Sequence, residues 1–448
     1  MRRQTSLFLA TSALFALCPA IAPSILAADL ARTANAPASV IWVAPNGVDD
    51  TVALQSALHR CSRNRGPCII RLTRGAFRTA PLVATEFHGA IQGAGMHLTT
   101  VSTLTDRVLH LSKAKPFSTR DPTPAEPWAA ILTFIEGDVR LSDLTLSAPL
   151  GTKTDGWYPV CFGSDPPLVP TLTGAIIASG RKPMNVRVHR VAFEGAADPS
   201  DTFVGYTLIQ SEVFAGFLLP KGFQDSCLDL VRLQGTFADD ETSHSQMAYG
   251  PFLVLTDRAV ASFTNSNYDV LVDAVQLYDL DRSRVFVANN TARTVFGSGI
   301  ATIQNGTPTS SPSDRSEFTF RHNRIAVSTA SVASITYFDY ASDTSPKTLN
   351  IRDNEIEMAA GSSYGIGVSG TKNSAVLGHN TIAGAPDQGV GIGVERSSGC
   401  KVLLNDFRGL AAATPDIVLS ASTSRCLVVA SSADTVIDQG SQNRVIYH

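Results

Sequence analysis

Apolar and polar positions repeat around an asparagine in the C-terminal half of the chain. The clearest copies are centred on Asn323, Asn354, Asn380 and Asn405, and each has the form x-x-Asn-x-apolar. These asparagines lie 31, 26 and 25 residues apart. A repeat of this length predicts a solenoid, in which each copy forms one coil that stacks on the next.

Four columns of apolar residues keep a constant offset from these asparagines, at three residues before and two, twelve and fourteen residues after. One column consists of Ile335, Ile366, Ile392 and Ile417. Apolar residues alternate with polar or small ones within each copy, which is typical of strands with one buried face. The pattern predicts coils of about 25 residues, each with two short strands that lie about 4.8 Å from those of the next coil.

The asparagines are predicted to stack at a bend, because asparagine tolerates left-handed backbone and bonds to neighbouring amides. An earlier copy at Asn290 extends the pattern towards the N-terminus. We interpret this ladder as structural rather than catalytic. We also expect His322, Asp353 and His379, which directly precede ladder asparagines, to stack in one surface column without a catalytic role.

The open start of such a stack needs a cover, and residues 49–61 predict a helix that provides it. Asp50 or Thr51 can cap its N-terminus. Helical spacing predicts a buried stripe of Leu54, Ala57, Leu58 and Cys61.

A resemblance to a known family becomes specific in this region. Residues 47–51, the helix after them, a Gly-x-Phe turn at 75–77 and an Ile-x-Gly-x-Gly strand at 91–95 look like the N-terminal module of the pectate-lyase-like superfamily of right-handed parallel β-helix proteins. The resemblance covers residues 41–104 by motif and 280–448 by repeat pattern.

The resemblance implies an all-β fold, a single-stranded right-handed parallel β-helix with an N-terminal capping helix. Residues 29–448 would form one domain, with the cap and first coils at 41–104 and the regular coils at 280–448. The superfamily includes polysaccharide lyases, glycoside hydrolases, epimerases and tail-spike depolymerases. The resemblance therefore implies a carbohydrate substrate but does not identify the reaction.

The first residues have the order of a secretory signal, with a basic start, an apolar run at 7–17 and small residues before a cleavage point after Ala27 or Ala28. We expect residues 1–28 to be removed and the protein to be secreted or periplasmic; an uncleaved anchor is the alternative. No later stretch is predicted to span a membrane. The formal net charge of -3, without blocks of like charge, gives no indication of nucleic-acid binding.

An even number of cysteines in an exported chain indicates disulfides. Without Cys18, the six are Cys61, Cys68, Cys161, Cys227, Cys400 and Cys426. The first two bracket a tight loop and are the easiest pair. The last two lie one coil apart at inward positions, where either a disulfide or two free thiols would fit. The middle two pair only by elimination.

Chemistry must lie on the outer faces or in the loops, because side chains fill the interior of a β-helix. Long segments without the repeat pattern interrupt the predicted coils at 113–128, 147–172, 195–226 and 304–316. We predict that these segments build the walls of a cleft in the first two thirds of the rod. The regular coils from 347 onward are expected to expose little. Their predicted outward positions include Gly365, Gly367, Gly391 and Gly393.

The predicted catalytic residues are Asp279, Asp281 and Arg282. Two carboxylates across a cleft can act as acid and base on a glycosidic bond, and carboxylates beside a basic residue also suit uronate chemistry. We predict that Arg284 binds substrate beside them. The alternative is that these are solvated polar positions of strands and turns.

Trp157 and Tyr158 are predicted to bind substrate, because aromatic rings can stack on the apolar faces of sugars. The alternative is a loop that packs onto itself through these rings and a disulfide at Cys161.

The leading hypothesis is an exported polysaccharide-processing enzyme, a lyase or glycoside hydrolase, that acts on an acidic polysaccharide. Ca²⁺ is the candidate cofactor because it neutralises uronate carboxylates, and no metal-ligating residue is predicted. The alternative is a non-catalytic glycan-binding or surface module, which the absence of the main galacturonase, pectate-lyase and epimerase signatures favours. An acidic residue in the loop-rich half with a raised pKa and a basic neighbour would favour the enzyme.

Overall fold

The computed structural model describes the greater part of the chain after residue 37. The described residues are 38–448, apart from the segments 105–107, 110–129, 149–152, 155–173, 180–182, 196–232, 243–249, 255–257, 305–315, 341–346, 385–388 and 411–413 and the single positions 65, 271, 279, 281, 296, 330 and 373. The predicted signal at 1–28 and the predicted pair Cys161 and Cys227 therefore lie outside the described residues.

The described residues form one helix, α1 (Thr51–Arg63), and short strands that recur along the chain. The strands are β1 (Ser39–Val43), β2 (Cys68–Leu72), β3 (Gly75–Thr79), β4 (Leu82–Gln92), β5 (Thr99–Thr103), β6 (Val108–Leu109), β7 (Ala130–Ala148), β8 (Lys153–Thr154), β9 (Gly174–Ser179), β10 (Met184–Gly195), β11 (Leu233–Ala238), β12 (Glu241–Thr242), β13 (Phe252–Val254), β14 (Val260–Thr264), β15 (Asn267–Val270), β16 (Val275–Tyr278), β17 (Arg284–Ala288), β18 (Thr291–Thr294), β19 (Ile300–Gln304), β20 (Ser316–Arg321), β21 (Arg324–Val327), β22 (Ala333–Asp339), β23 (Lys347–Arg352), β24 (Glu355–Glu357), β25 (Tyr364–Ser369), β26 (Ala375–Gly378), β27 (Thr381–Ala383), β28 (Val390–Glu395), β29 (Lys401–Leu403), β30 (Asp406–Arg408), β31 (Ile417–Leu419), β32 (Leu427–Ala430), β33 (Val436–Asp438) and β34 (Arg444–Tyr447).

The strands stack in parallel into a right-handed β-helix, as the repeat and the resemblance predict. Each regular coil has three faces. Face 1 is an eight-stranded sheet of β13, β16, β19, β22, β25, β28, β31 and β33. Face 2 follows it in each coil, for example β17, β20, β23 and β26, and face 3 follows face 2, for example β18, β21, β24 and β27.

The prediction of two strands per coil is wrong, since each regular coil has three. The apolar positions three before and two after each asparagine are five residues apart, an odd number. Both positions cannot point inward from one straight strand of period two, so a bend must separate them. That bend divides face 2 from face 3, as at Asn354 between β23 and β24.

The predicted inward columns form the core. Ile335, Ile366, Ile392 and Ile417 are paired in register on face 1, and none of them is more than 1% exposed. Residues 39–448 form one unit. A single compact core would not support a chain of this length, but the core of a solenoid grows along its axis with each added coil.

The predicted asparagine ladder is confirmed and has a regular bonding pattern. The backbone N–H of Asn323 donates to Oδ1 of Asn354, and that of Asn354 donates to Oδ1 of Asn380, at 3.0 and 3.1 Å. Each Nδ2 also donates to a carbonyl of the preceding coil, as Asn354 does to Phe320 at 3.0 Å. The ladder thus satisfies buried polar groups at every bend.

The left-handed residue of each bend is the one before the asparagine, and the predicted position is wrong by one. His322, Asp353 and His379 have φ angles of 52°, 56° and 56°. They stack in one surface column as predicted, with 3.8 Å between His322 Nε2 and Asp353 Oδ2. The asparagine side chain must point into the stack to bond its neighbours, so the preceding residue makes the turn.

Helix α1 covers the start of the stack with the predicted stripe, and its buried residues are Leu54, Ala57, Leu58 and Cys61. The side chain of Asp50 makes no cap bond to the helix. Its carboxylate instead accepts hydrogen bonds from the backbone N–H groups of Asn46 and Arg78, at 2.7 and 3.0 Å. Asp50 therefore ties the helix start to the first coil.

Two disulfides are present among the described cysteines. Cys61 and Cys68 join α1 to β2, with Cα atoms 5.4 Å apart. Cys400 and Cys426 join adjacent coils, with Cα atoms 4.5 Å apart. No helix in the described part of the chain is long and apolar enough to cross a membrane.

Candidate functional site on face 1

Face 1 is the side of the rod on which the chain varies most. Between face 2 and face 3, the seven coils with ladder positions from Asp240 to Asn405 each use a turn of two residues. The four predicted interruptions lie almost wholly outside the described residues, and in chain order each comes between a strand of face 3 and the next strand of face 2. Since binding residues concentrate where loops border a rigid scaffold, face 1 is the first place to look for a site.

The outer surface of face 1 carries rings at Phe338, Tyr340 and Tyr364, and Tyr364, the one within the regular coils from 347 onward, is half-buried. Gly367 and Gly393 do face outward, and the ring of Tyr364 lies against the Cα of Gly393. Gly365 and Gly391 face inward instead, where a side chain would meet Ile382 and Phe407 respectively. The outward glycines therefore make room for a ring.

Five residues of face 1 and its edge form what we call the aromatic–arginine patch. These are Phe338, Tyr340, Tyr364, Glu395 and Arg396. Tyr340 is 53% exposed, and its ring centroid lies 6.0 Å from that of Phe338. The patch combines three ring faces, one cation and one carboxylate on neighbouring coils.

Arg396 is held in place from several sides while remaining exposed. Its Nε donates to Oγ of Ser369 at 3.0 Å, and its Nη2 donates to the carbonyl of Asp339 at 3.3 Å. Its Cζ lies 5.1 Å from the centre of the Tyr340 ring, a cation–π contact. A guanidinium fixed in this way can meet a carboxylate or a sugar hydroxyl with little loss of side-chain entropy.

Tyr364 and Glu395 form the other side of the patch. The Tyr364 hydroxyl donates to Oε1 of Glu395 at 3.3 Å. Partial burial and then the neighbouring Glu395 carboxylate raise the pKa of Tyr364, so the hydroxyl stays protonated as a donor. The pair supplies a donor and an acceptor of the kind that binds sugar hydroxyls.

A buried ion pair supports the edge of the patch. Nζ of Lys347 lies 2.8 Å from Oδ2 of Asp339, and both side chains are less than 10% exposed. Because the carbonyl of Asp339 also accepts a hydrogen bond from Arg396, this pair fixes the backbone that positions the guanidinium.

Among the predicted catalytic residues, the structure describes Arg282. It is half-buried, has a φ of 48° and lies in the connection from face 1 to face 2. Arg258 has a φ of 56° at the same corner one coil earlier, and its side chain is exposed. Two arginines thus follow face 1 on consecutive coils, and sequence reasoning missed Arg258. Its separation of 24 residues from Arg282, one coil, is the signal that identifies it.

Of the other predicted site residues, the structure describes one and does not describe four. Arg284 begins face 2 with an exposed side chain, and its Nε lies 3.9 Å from Oε2 of Glu317 on the next coil. Trp157, Tyr158, Asp279 and Asp281 lie outside the described residues. The roles of these five residues stay predictions.

Acidic residues with raised pKa values do occur in the loop-rich half, at Asp240 and Asp273. Burial raises the pKa of Asp273 to about 7 and that of Asp240 well above its usual range. The bonds to their carboxylates come from backbone N–H groups, of Ser298 and Val191. Both acids therefore belong to the stack, and neither is the acid with a basic neighbour that would favour an enzyme.

No group of three or more histidine, cysteine or acidic side chains among the described residues is arranged to hold a metal ion. The described part of face 1 presents rings, an arginine and hydroxyl partners.

No protein-family model matches the sequence. Curated proteins also give no match. Solved structures do match. The A-module of the mannuronan C-5 epimerase AlgE6 of Azotobacter vinelandii aligns at a TM-score of 0.42 and 11% identity, over 90% of this chain and 92% of that one. PfbA, a surface adhesin of Streptococcus pneumoniae, aligns at 0.39 and 13%, over 85% and 93%.

The catalytic domain of a GH87 alpha-1,3-glucanase aligns at a TM-score of 0.42 and 11% identity, over 92% of this chain and 66% of that one. Likeness at this level carries no argument about substrate or reaction. By its own strand pairing, the chain is a parallel β-helix protein.

Proposed function

We propose that this chain is an exported polysaccharide-processing enzyme, a lyase or glycoside hydrolase, that binds an acidic polysaccharide along face 1. The observation that carries the proposal is the aromatic–arginine patch, in which rings, a fixed guanidinium and a Tyr–Glu pair share one exposed surface. Rings match the apolar faces of sugars, and arginine matches a carboxylate in two-point geometry.

The length of face 1 also supports an extended ligand. Arg282 follows β16 and Arg396 follows β28, four strands further along the sheet. At about 4.8 Å per strand the two positions are about 19 Å apart. A ligand that contacts both arginines must be an oligosaccharide rather than a single sugar.

The catalytic part of the proposal assigns turnover to Asp279, Asp281 and Arg282. Arg282 lies four residues after the end of β16 on face 1, which supports a position beside the bound chain. Trp157, Tyr158 and Arg284 are proposed to hold the substrate. Ca²⁺ enters only as an assay condition.

The test is a turnover and binding screen of the purified protein against acidic and neutral polysaccharides, with and without Ca²⁺. New ultraviolet absorbance would identify a lyase, and new reducing ends alone a hydrolase. Asp279→Asn should abolish turnover while binding persists. Arg396→Ala should weaken binding of acidic oligosaccharides about tenfold, roughly 1.4 kcal/mol. Arg324→Ala, an exposed arginine on face 3, is the matched control.

The second candidate function is a glycan-binding module without turnover. The observation in its favour is that the two raised-pKa acids described in the loop-rich half, Asp240 and Asp273, are buried in the stack and bonded to backbone. Binding that depends on Arg396 without any turnover across the panel would support this module. Unchanged binding in Arg396→Ala would remove the patch from both functions.

A further inference from the structure

The asparagine ladder continues beyond its asparagines, towards the loop-rich half of the rod. Its positions, one per coil, are Val191, Asp240, Ser266, Asn290, Asn323, Asn354, Asn380 and Asn405. At each step, the backbone N–H of one position donates to a side-chain oxygen of the next. The distances for Val191 to Asp240, Asp240 to Ser266 and Ser266 to Asn290 are 2.9, 3.1 and 3.0 Å.

Asp240 is the carboxylate in this column, and it is the first position whose side chain enters the ladder. It is 2% exposed. Its Oδ1 accepts the N–H of Val191, as the Oδ1 of each asparagine accepts the N–H before it. Its Oδ2 is enclosed and has no hydrogen-bond partner among the described residues. This oxygen takes the place that Nδ2 has in the asparagines.

The asparagines define what that second atom does. Nδ2 of Asn290 donates to the carbonyl of Phe263, and Nδ2 of Asn323 donates to that of Val287, at 2.9 and 3.0 Å. In both cases the acceptor lies three residues before the preceding ladder position. By the same register, the acceptor that corresponds to Asp240 is the carbonyl of Val188. A carbonyl can accept a proton from Oδ2, whereas it repels an ionised oxygen.

The groups around Asp240 support its ionised form only through the backbone hydrogen bonds of Val191 and Ala238. Asp239 adjoins it with a second carboxylate, whose Oδ2 lies 2.8 Å from Nε2 of His189. Tyr268 faces it from the next coil, and burial and then the Asp240 charge raise the pKa of that hydroxyl. Burial and then the Asp239 charge raise the pKa of Asp240 itself, against the effect of the Val191 N–H. No cation among the described residues shifts the pKa of Asp240.

We propose that Asp240 is a neutral carboxylic acid in the folded protein, where it takes the place of an asparagine, and that this makes the ladder a pH-sensitive lock. The folded state holds a proton that the unfolded chain releases above an ordinary pKa of 3.8. The stabilisation is therefore complete at pH values below about 4, and it is lost as the pH rises towards the raised pKa of the folded state. The lock goes beyond the proposed function and does not depend on it.

The experiment compares urea-unfolding midpoints of the full chain at pH 4.5 and pH 8 for the wild type and Asp240→Asn. Asparagine is neutral at both values and restores the Nδ2 donor. We expect similar midpoints at pH 4.5 and a clearly higher midpoint for Asp240→Asn at pH 8. A difference between the two proteins that is equal at both pH values, or a lower midpoint of the variant at pH 8, would overturn the proposal.

Two further variants keep the test decisive. Asp240→Ser places at this position the residue that the ladder holds one coil later, and it should also lack the extra pH dependence. Asn354→Asp is the reciprocal change at a regular ladder position. A neutral acid keeps one of the two hydrogen bonds that Nδ2 of Asn354 donates, so the midpoint should lie below that of the wild type at pH 4.5 and fall further by pH 8. If Asn354→Asp is equally stable at both values, the ladder does not select a neutral acid and the proposal fails.

Discussion

At the scale of single residues, position along the coil decides what a polar side chain does. Asn354 and Asn350 are the same residue type four positions apart on one coil. Asn354 lies in the ladder and bonds to both neighbouring coils, whereas Asn350 is a half-buried strand residue of face 2. Sequence spacing alone separates the two, because Asn354 keeps the register of the other copies. The asparagines of the ladder were therefore predictable residue by residue, whereas Ser266 and Asp240 were not.

Removing one ladder side chain should be costly. Asn354→Ala leaves the N–H and Nδ2 of Asn323 without their acceptor, in a buried place. Since an unsatisfied buried group costs about 1–3 kcal/mol, we expect a loss of about 3 kcal/mol in the free energy of unfolding, measured by urea denaturation. Asn267→Ala, an exposed asparagine on face 3, should change it by less than about 0.5 kcal/mol. Equal losses in the two variants would contradict the role of the ladder.

The patch residues could not be read from the sequence. Tyr340, Tyr364 and Arg396 come from three successive coils, and their meeting depends on which way each side chain leaves the sheet. Gly393 was predicted to be outward, but nothing in the sequence indicates that the ring of Tyr364 occupies its free space. Contacts of this kind depend on side-chain direction, which the period of the repeat leaves open.

At the scale of elements, the helix and the strands differ in how completely the sequence defines them. Helix α1 has a stripe that only helical spacing produces, and all four predicted residues of that stripe are buried. The strands of face 2 and face 3 were merged into one, because their apolar positions lie close together on either side of the bend. Face 1 was separated correctly, since its columns lie twelve and fourteen residues after the asparagine.

The cap should contribute strongly to stability through its buried stripe. Leu58 is 2% exposed and packs in the core at the start of the stack. Leu58→Ala should lower the free energy of unfolding by about 2–5 kcal/mol, because a cavity replaces the side chain. Val52, on the same helix, is 79% exposed, and Val52→Ala should have almost no effect. The measurement is again urea denaturation, and a small loss in Leu58→Ala would mean that the helix does not seal the core.

At the scale of the whole molecule, buried acids should make the stability of the rod depend on pH. Asp273 is buried, and its pKa is raised to about 7 from an ordinary 3.8. A raised acid contributes stability that is complete at pH values below about 4 and is lost as the pH rises to about 7. At 1.36 kcal/mol per unit, the contribution of this residue is on the order of 4 kcal/mol.

Unfolding midpoints measured from pH 4.5 to pH 8 for the wild type and Asp273→Asn should reveal this contribution. The wild type should lose stability relative to the variant across the interval, because asparagine does not titrate. Parallel curves for the two proteins would show that Asp273 titrates normally in the folded state.

The overall architecture was predictable because each coil of a solenoid repeats the same pattern of apolar and polar positions. Four copies of one pattern give the coil length, the inward columns and the position of the Cys400–Cys426 disulfide. The working surface was not predictable in the same way. Arg258, Arg282 and the patch line different coils of face 1, and their alignment needs the rung-by-rung register that the structure provides.

The two-residue turn between face 2 and face 3 has the same length in seven coils, whereas the border of face 1 varies in length from coil to coil. Extra residues placed in that turn, for example between Asp353 and Asn354, would break the ladder on both sides. Extra residues placed after Tyr340 or after Gln304, where the chain already leaves face 1, would leave every rung in register. A grafted peptide should therefore be tolerated at the face 1 border but not in the turn between face 2 and face 3.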